Sequence, residues 1–265
     1  MKNSLTLIKL GGSIITNKSK PFTVQEEVLV DLVGQIKKAW NTGKVSLILG
    51  HGSGSFGHVP AEKYKTKEGL VDTQSVYGAA VVEDAACQLN RIVVAECLKQ
   101  GLPAFSVKPS DFLLLKNSKV SSIRLENLLT ALTQGFLPVV FGDVILDTEK
   151  GFTIWSTEQI LNLLAAKIHR RYFTVDKVIH CAETDGFLVN NQVVPEINLQ
   201  NFEEMKQHIK ETFGFDVTGG MLHKIQEGLA SAQSGIDSYI VGGNHGGNLY
   251  RTIMNKNFIG TRIRP

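Results

Sequence analysis

The sequence lacks the features that mark a secreted, membrane-spanning or nucleic-acid-binding protein. Its three cysteines, Cys87, Cys97 and Cys181, are an odd number with no C-x-x-C pair among them, which fits reduced thiols better than a disulfide framework. No stretch approaches the ~18 consecutive apolar residues of a membrane helix. The N-terminal MKNSLTLIKLGGS has neither the long apolar core nor the cleavage site of a signal peptide. Charge of one sign is also missing: 28 Lys and Arg stand against 25 Asp and Glu, a net +3. No basic run suggests a nucleic acid or an anionic membrane as partner. A soluble, cytoplasmic protein is expected. Apolar side chains are plentiful, at 43% of 265 residues, enough for a sizeable core in one large domain or two small ones.

Strand and helix signals alternate along the chain. Leu5–Leu10 and Val45–Leu49 are short apolar runs that end in glycines, as buried strands do. Ala104–Val107, Leu137–Phe141, Lys177–Cys181 and Ser238–Val241 have the same character. Thr23 and Glu26 have capping-box spacing ahead of Leu29, Leu32, Val33, Ile36 and Trp40 at helical intervals. Further helices are expected over Gln74–Lys99, Leu125–Thr133, Phe202–Lys210 and Gly219–Gln233, and one capped by Ser156 that carries Ile160, Leu161, Leu164 and Ile168. Val144–Leu146 and Phe152–Ile154, joined by Asp-Thr-Glu-Lys-Gly, form a hairpin pattern. Such alternation predicts an α/β fold, a mainly parallel central sheet covered by helices on both faces.

Sheets of this kind bind ligands at the carboxyl ends of their strands, and three glycine-bearing stretches fall there. Lys9-Leu-Gly11-Gly12-Ser13 follows the first strand, Gly50-His-Gly52-Ser-Gly54-Ser-Phe-Gly57-His58-Val59 the second, and Asp216-Val-Thr-Gly219-Gly220-Met221 opens a helix. Glycines ahead of a helix offer free N–H groups and a positive dipole end to phosphate. Gly52, Gly54 and Gly57 match the dinucleotide fingerprint, and with Val59 the glycine lid of a protein kinase. Both fail in context. Asp72 has the distance for a ribose contact but no strand precedes it, and the V-A-I-K, H-R-D and D-F-G elements of a protein kinase do not follow. No G-x-x-x-x-G-K-[ST] loop occurs either.

Cations fill out the pattern. Lys9 ends a buried strand, where an ammonium requires a counter-charge; Lys18 follows the Gly11-Gly12 turn and Lys224 follows Gly219. A single lysine is ordinarily a solvated surface charge. Lysines converging with glycine turns suit phosphoryl transfer, which asks for positioning and positive charge.

Lys9-Leu-Gly-Gly-Ser13 with Lys18, then Gly142-Asp143, Thr184-Asp185-Gly186 and Asp216-Val-Thr-Gly-Gly-Met-x-x-Lys224, resembles the amino acid kinase superfamily. Within it, His51-Gly-Ser-Gly-Ser-Phe-Gly-His58 and Pro138-Val-Val-Phe-Gly142-Asp143 resemble the isopentenyl phosphate kinase family over essentially the whole chain. The resemblance implies a single domain in a three-layer α/β sandwich, with an acceptor-binding lobe over about residues 1–170 and a nucleotide-binding lobe over about 171–265. It also implies ATP with Mg2+, a small-molecule phosphate acceptor and a homodimer. Lys9, Gly11 and Gly12 would meet the ATP phosphates, as would Gly219 and Lys224, with Asp185 and Gly186 near the nucleotide. Lys18 would stabilise charge on the transferring group. Gly54 would lie between the two ligands and Ser53 on the acceptor side. His58 would bond the acceptor phosphate, the alternative being a loop histidine bonded to backbone, and Gly142 would line that site. Asp143 either organises the site or caps a turn. No side chain is expected as a metal ligand.

The chain departs from the family pattern at Ser156-Thr157-Glu158, where Asp is usual and the carboxylate would order the catalytic lysines, and at Glu183-Thr184-Asp185-Gly186. An extra methylene can shift a carboxylate by about an ångström, which can cost ~10²-fold in rate. Phosphorylation of isopentenyl phosphate is expected. The alternatives are a fosfomycin-type phosphonate kinase and a nucleotide-binding regulatory protein without catalysis. Val76, Tyr77, Ala80 and Val81 would supply an apolar acceptor pocket, or else ordinary core.

Overall fold

The first strand, β1 (Ser4–Leu10), is buried from Leu5 onward because it has an apolar layer on each side. Leu5 and Leu7 enter one cluster while Ile8 and Leu10 enter the other, the alternation of a strand covered on both faces. The computed structural model describes residues 4–205, 207 and 225–265. After β1 come a one-turn helix, α1 (Gly12–Ile15), and then α2 (Glu26–Trp40), whose Leu29, Leu32, Val33 and Ile36 are buried. The capping box expected at Thr23 and Glu26 does not form. Gln25 is the N-cap and no side chain caps it, while Thr23 Oγ1 donates to the Pro21 carbonyl at 3.0 Å. The Gln25 N–H donates to the Ile15 carbonyl at 2.9 Å and its side-chain amide to the Thr16 carbonyl at 3.3 Å. Contacts to the α1 segment thus set where α2 begins.

β2 (Ser46–His51) leads into α3 (Gly54–Lys63) and α4 (Ser75–Lys99). The stretch expected as a loop is therefore helical from Gly54. Gly54, Gly57 and Pro60 disfavour a helix locally, but Phe56 is buried in the core and packs edge-on against Phe22 at 5.3 Å. Tertiary packing overrides propensity here. β3 (Ala104–Ser106) and the short α5 (Pro109–Phe112) follow, and then a hairpin absent from the sequence expectations, β4 (Leu113–Lys116) and β5 (Lys119–Ile123). Next come α6 (Glu126–Thr133), β6 (Leu137–Phe141), and the expected hairpin as β7 (Asp143–Asp147) and β8 (Gly151–Trp155). α7 (Thr157–Ile168) starts from a true capping box of Ser156 and Gln159.

β9 (Thr174–Ala182) returns to the centre, followed by the small ladder of β10 (Leu188–Val189) and β11 (Gln192–Val193) and the strand β12 (Glu196–Ile197). β13 (Asp237–Gly242), a helix Asn248–Ile253 and β14 (Gly260–Ile263) complete the chain. Residues 202–205, 207 and 225–233 are helical; the remainder of the helices expected over 202–210 and 219–233, with Gly219 and Lys224, lies outside the described residues.

The strands form an eight-stranded sheet in the order β12-β14-β13-β9-β1-β2-β6-β3. Every neighbouring pair is parallel except β13 and β14. One apolar cluster joins α2, α4 and the Asn248–Ile253 helix to this sheet, and the other joins α6 and α7 to its opposite face. A three-layer α/β sandwich results. Among the described residues no helix is long and apolar enough to cross a membrane.

The two caps make a paired test. Ser156→Ala should lower unfolding stability by about 1 kcal/mol, read as a lower urea midpoint at unchanged slope. Thr23→Ala should shift stability by no more than about 0.5 kcal/mol, as a partly exposed site without a cap does.

Candidate active site

β1, β2, β6 and β9 are adjacent and parallel, so their carboxyl ends share one edge of the sheet, the edge at which such sheets bind ligands. There a cavity of about 370 Å³ opens, walled by Gly11, Gly12 and Ser13 after β1, Gly52, Ser53 and Gly54 after β2, Gly142 after β6, and Cys181 and Ala182 at the end of β9. Lys9, His58, Glu158 and His180 also line it, as do Ile154 and Trp155. α3 begins at Gly54, which turns a helix N-terminus, with its free N–H groups and positive dipole end, onto the cavity.

The first two glycine turns are pressed against each other. A Cβ on Gly12 would stand 2.3 Å from the Gly54 nitrogen. Gly54 adopts φ +48°, and a Cβ there would stand 2.1 Å from Thr16 Oγ1, so only glycine satisfies both the conformation and the space. Thr16 pins the pair: its hydroxyl donates to the Gly12 carbonyl at 2.7 Å and accepts the Ser55 N–H at 2.9 Å. The turns are also tied to the strand ends, Gly11 N–H to the Cys181 carbonyl at 2.8 Å and Gly52 N–H to the Leu10 carbonyl at 2.9 Å.

Lys9 projects on the α7 side of the sheet, in line with Leu5 and Leu7, and pairs with Glu158 in the first turn of α7. Both side chains are nearly buried, at 10% and 12% exposure. His180 is the register partner of Lys9 on β9 and is 1% exposed. Burial pushes the Glu158 carboxyl up, but Lys9 and His180 beside it outweigh burial and its pKa falls to about 2. Lys18 is differently placed. Its ammonium lies 2.5 Å from Glu183 Oε2, with the two side chains 65% and 40% exposed, and it is not part of the cavity wall. Glu158 therefore engages one of the two lysines, and Glu183 engages the other.

Among the remaining expected residues, His58 lines this cavity and Asp143, Asp185 and Gly186 do not. His58 is exposed on α3 at the cavity wall, on a helix rather than a loop. Asp143 is 2% exposed and accepts the N–H groups of Ser110 at 3.0 Å and Val144 at 2.8 Å. Burial raises its pKa against those bonds. Its two accepted bonds tie the chain beside Gly142 to the start of α5. Asp185 meets His245 Nε2 at 2.7 Å, and Gly186, at φ +140°, fits under Thr261, whose Oγ1 would lie 2.6 Å from an added Cβ. Val76, Tyr77, Ala80 and Val81 are neither cavity wall nor core: the first three are exposed and Val81 half-buried. The apolar end of the cavity comes instead from Ile154 and Trp155 on β8.

Thr16, His180, Ile154 and Trp155 are among the site residues that sequence reasoning missed, with Cys181 and Ala182. His180 carried a usable signal, a polar side chain at the end of a buried strand, the same signal that singled out Lys9. The others are assembled by tertiary packing and left none.

The amino acid kinase family model matches residues 4–242. An isopentenyl phosphate kinase of Methanothermobacter thermautotrophicus is 30% identical over 270 residues, covering 98% of each chain. One of Methanocaldococcus jannaschii is 28% identical over 260 residues, covering 94% of this chain and 95% of that one. A crystal structure of an isopentenyl phosphate kinase superposes with a TM-score of 0.81 at 27% identity, over 98% of this chain and all (100%) of the other. The chain belongs to the amino acid kinase family.

Proposed function

We propose that this chain is an ATP-dependent kinase that transfers the γ-phosphoryl group to isopentenyl phosphate, giving isopentenyl diphosphate. The observation that carries the reading is the Lys9–Glu158 pair on the wall of a cavity that His58 and the interlocked glycine turns also line. Relatives named for this activity align along nearly the full chain.

In this reading Lys9 and the Gly11-Gly12 turn hold the ATP phosphates, and Ser53, Gly54, His58 and Gly142 hold the acceptor phosphate. Asp185 and Gly186 lie near the nucleotide. Gly219 and Lys224 keep their proposed phosphate contacts, outside the described residues. The acceptor belongs to the lobe over about residues 1–170 and the nucleotide to that over about 171–265. The apolar tail of the acceptor rests against Ile154 and Trp155. Among the described residues no cluster of three or more His, Cys, Asp or Glu side chains is gathered as a metal cage. Magnesium is commonly bound through substrate phosphates and water, and it is proposed here with the nucleotide, without an assigned side chain. A homodimer in the cytoplasm belongs to the same reading.

The two lysines divide the labour because their environments differ. Breaking a buried pair such as Lys9–Glu158 costs about 3–5 kcal/mol, so Lys9 is a fixed cation. An exposed pair such as Lys18–Glu183 is worth about 0–1 kcal/mol. Lys18 can therefore leave Glu183 at little cost and reach the transferring group, where new negative charge is stabilised.

ADP release under multiple turnover with isopentenyl phosphate, with fosfomycin and with no acceptor tests the proposal. Release with isopentenyl phosphate alone is expected; release with fosfomycin alone would replace the acceptor, and none with either would remove the kinase reading. His58→Ala should lower kcat/KM for the acceptor roughly 10- to 150-fold, the worth of one charge-assisted hydrogen bond, with ATP kinetics nearly unchanged. Lys18→Met should lower kcat and kcat/KM together by roughly 10²–10³-fold, and Lys20→Met should change little. A Lys18→Met enzyme that turns over normally at saturating ATP would make Lys18 a binding group only.

A further inference from the structure

β2 ends on His51, a side chain that the reaction as proposed leaves without a task. It is 0% exposed and lies on the α4 side of the sheet, opposite to Lys9, stacked on Phe141 with ring centroids 5.7 Å apart. Both ring nitrogens are engaged. Nδ1 lies 3.2 Å from the Gly52 carbonyl oxygen, and Nε2 lies 3.1 Å from Asn90 Nδ2 on α4. Asn90 Oδ1 in turn accepts the Ser106 hydroxyl at 2.6 Å.

Donor and acceptor chemistry allows one placement of hydrogens along this chain. A carbonyl oxygen only accepts, so the proton between His51 and Gly52 is on Nδ1. An amide nitrogen only donates, so Nε2 presents its lone pair to Asn90. The Ser106 hydroxyl, donating to Oδ1, accommodates the Asn90 orientation this requires; the reverse orientation would need a buried imidazolium. His51 is thus a neutral Nδ1–H imidazole. Burial disfavours the imidazolium in any case: it lowers the pKa to about 4, with the Gly52 carbonyl pulling the other way. Titratable groups on the elements around His51 include Lys9 on β1, His58 on α3, Glu83, Cys87 and Arg91 on α4, Asp143 on β7 and Glu158 on α7. None of these described groups adds to burial and the Gly52 carbonyl in setting its protonation.

The backbone of the same residue is a junction. The His51 carbonyl accepts Thr157 Oγ1 at 2.7 Å and the Gly142 N–H at 3.4 Å, which joins the start of α7 and the turn after β6 to the end of β2. A trans peptide is planar with its N–H opposite its C=O. Anchoring the Gly52 carbonyl on the imidazole therefore turns the Ser53 N–H away from it. We propose that the Ser106–Asn90–His51 relay is a positioning device, holding His51 as the Nδ1–H tautomer so that the Gly52–Ser53 peptide presents its N–H to the acceptor phosphate. The acceptor half of this statement rests on the proposed function.

Two experiments test it. In protein labelled with ¹⁵N-histidine and free of substrate, the ring that disappears in His51→Phe should be protonated at Nδ1 and bare at Nε2, without change from about pH 5.5 to about pH 8. An Nε2–H ring or an imidazolium at neutral pH would overturn the relay whatever the acceptor is. In steady-state kinetics, His51→Phe keeps an aromatic ring against Phe141 and removes both nitrogens. The KM for isopentenyl phosphate should rise about 3- to 10-fold while that for ATP stays within about twofold; equal rises in both, or none, would overturn positioning. Asn90→Asp provides a second variant should His51→Phe not fold. A carboxylate cannot donate to Nε2, so a neutral His51 gives up the proton facing Gly52, and only the imidazolium serves both partners. Acceptor kcat/KM relative to the unaltered enzyme should then fall as pH rises, and a ratio flat with pH would count against the relay. Absence of any turnover of isopentenyl phosphate by the unaltered enzyme would remove the acceptor and the positioning role together, while the spectrum would still report the tautomer.

Discussion

An ammonium at the end of a buried parallel strand needs a counter-charge, and the pairing of Lys9 with Glu158 supplies it. Sequence places the lysine where β1 ends and the glutamate in the first turn of α7, where a carboxylate also meets the positive end of the helix dipole. The pair therefore locks α7 against the sheet at the edge that matters. Thr157, one residue earlier, bonds the His51 carbonyl at 2.7 Å, so the same helix start also holds β2. What reads as a catalytic feature is equally an architectural one. The charge that could meet a phosphate is the charge that sets the spacing of two strand ends and a helix.

Rigidity and reach are separated accordingly. The Gly11-Gly12 and Gly52–Gly54 turns are interlocked through Thr16, with no room for a methyl group between them. Lys18, by contrast, sits on an exposed segment in an exposed ion pair. In the proposed reaction a phosphoryl group in flight demands fixed donors along its path and one cation free to follow it, and the two kinds of environment suit that demand.

Much of this was legible in the chain itself. β1, β2, β6, β9 and β13 are apolar runs closed by glycines or polar residues, and α2, α4 and α7 carry apolar stripes, so local periodicity was enough. Elements that depend on distant partners were not. α3 defies its glycines and proline because Phe56 has a core to enter, and β14 exists as an antiparallel neighbour of β13. At Thr23 and Glu26 the local motif was present and a contact from α1 won. In the site, Lys9, Gly11, Gly12, Ser53, Gly54, His58, Gly142 and Glu158 all reach one cavity, since glycine turns and strand-end charges leave a local trace. Ile154 and Trp155 were missed in favour of residues on α4 because which apolar side chain faces a ligand is decided by how a hairpin docks.

The parallel ladder β9-β1-β2-β6 has a further consequence. Adjacent strands stand about 4.8 Å apart, and each of these ends in a turn on the cavity wall. The sheet edge thus acts as a ruler graduated in strand spacings, with the proposed donor phosphates at the β9 and β1 marks and the proposed acceptor phosphate at the β2 and β6 marks. Distance between the proposed reacting groups is then a property of backbone hydrogen bonding, whose strand spacing varies by only about 0.2 Å. In the proposed reaction side chains choose which phosphates bind, and the ladder decides how far apart they are held.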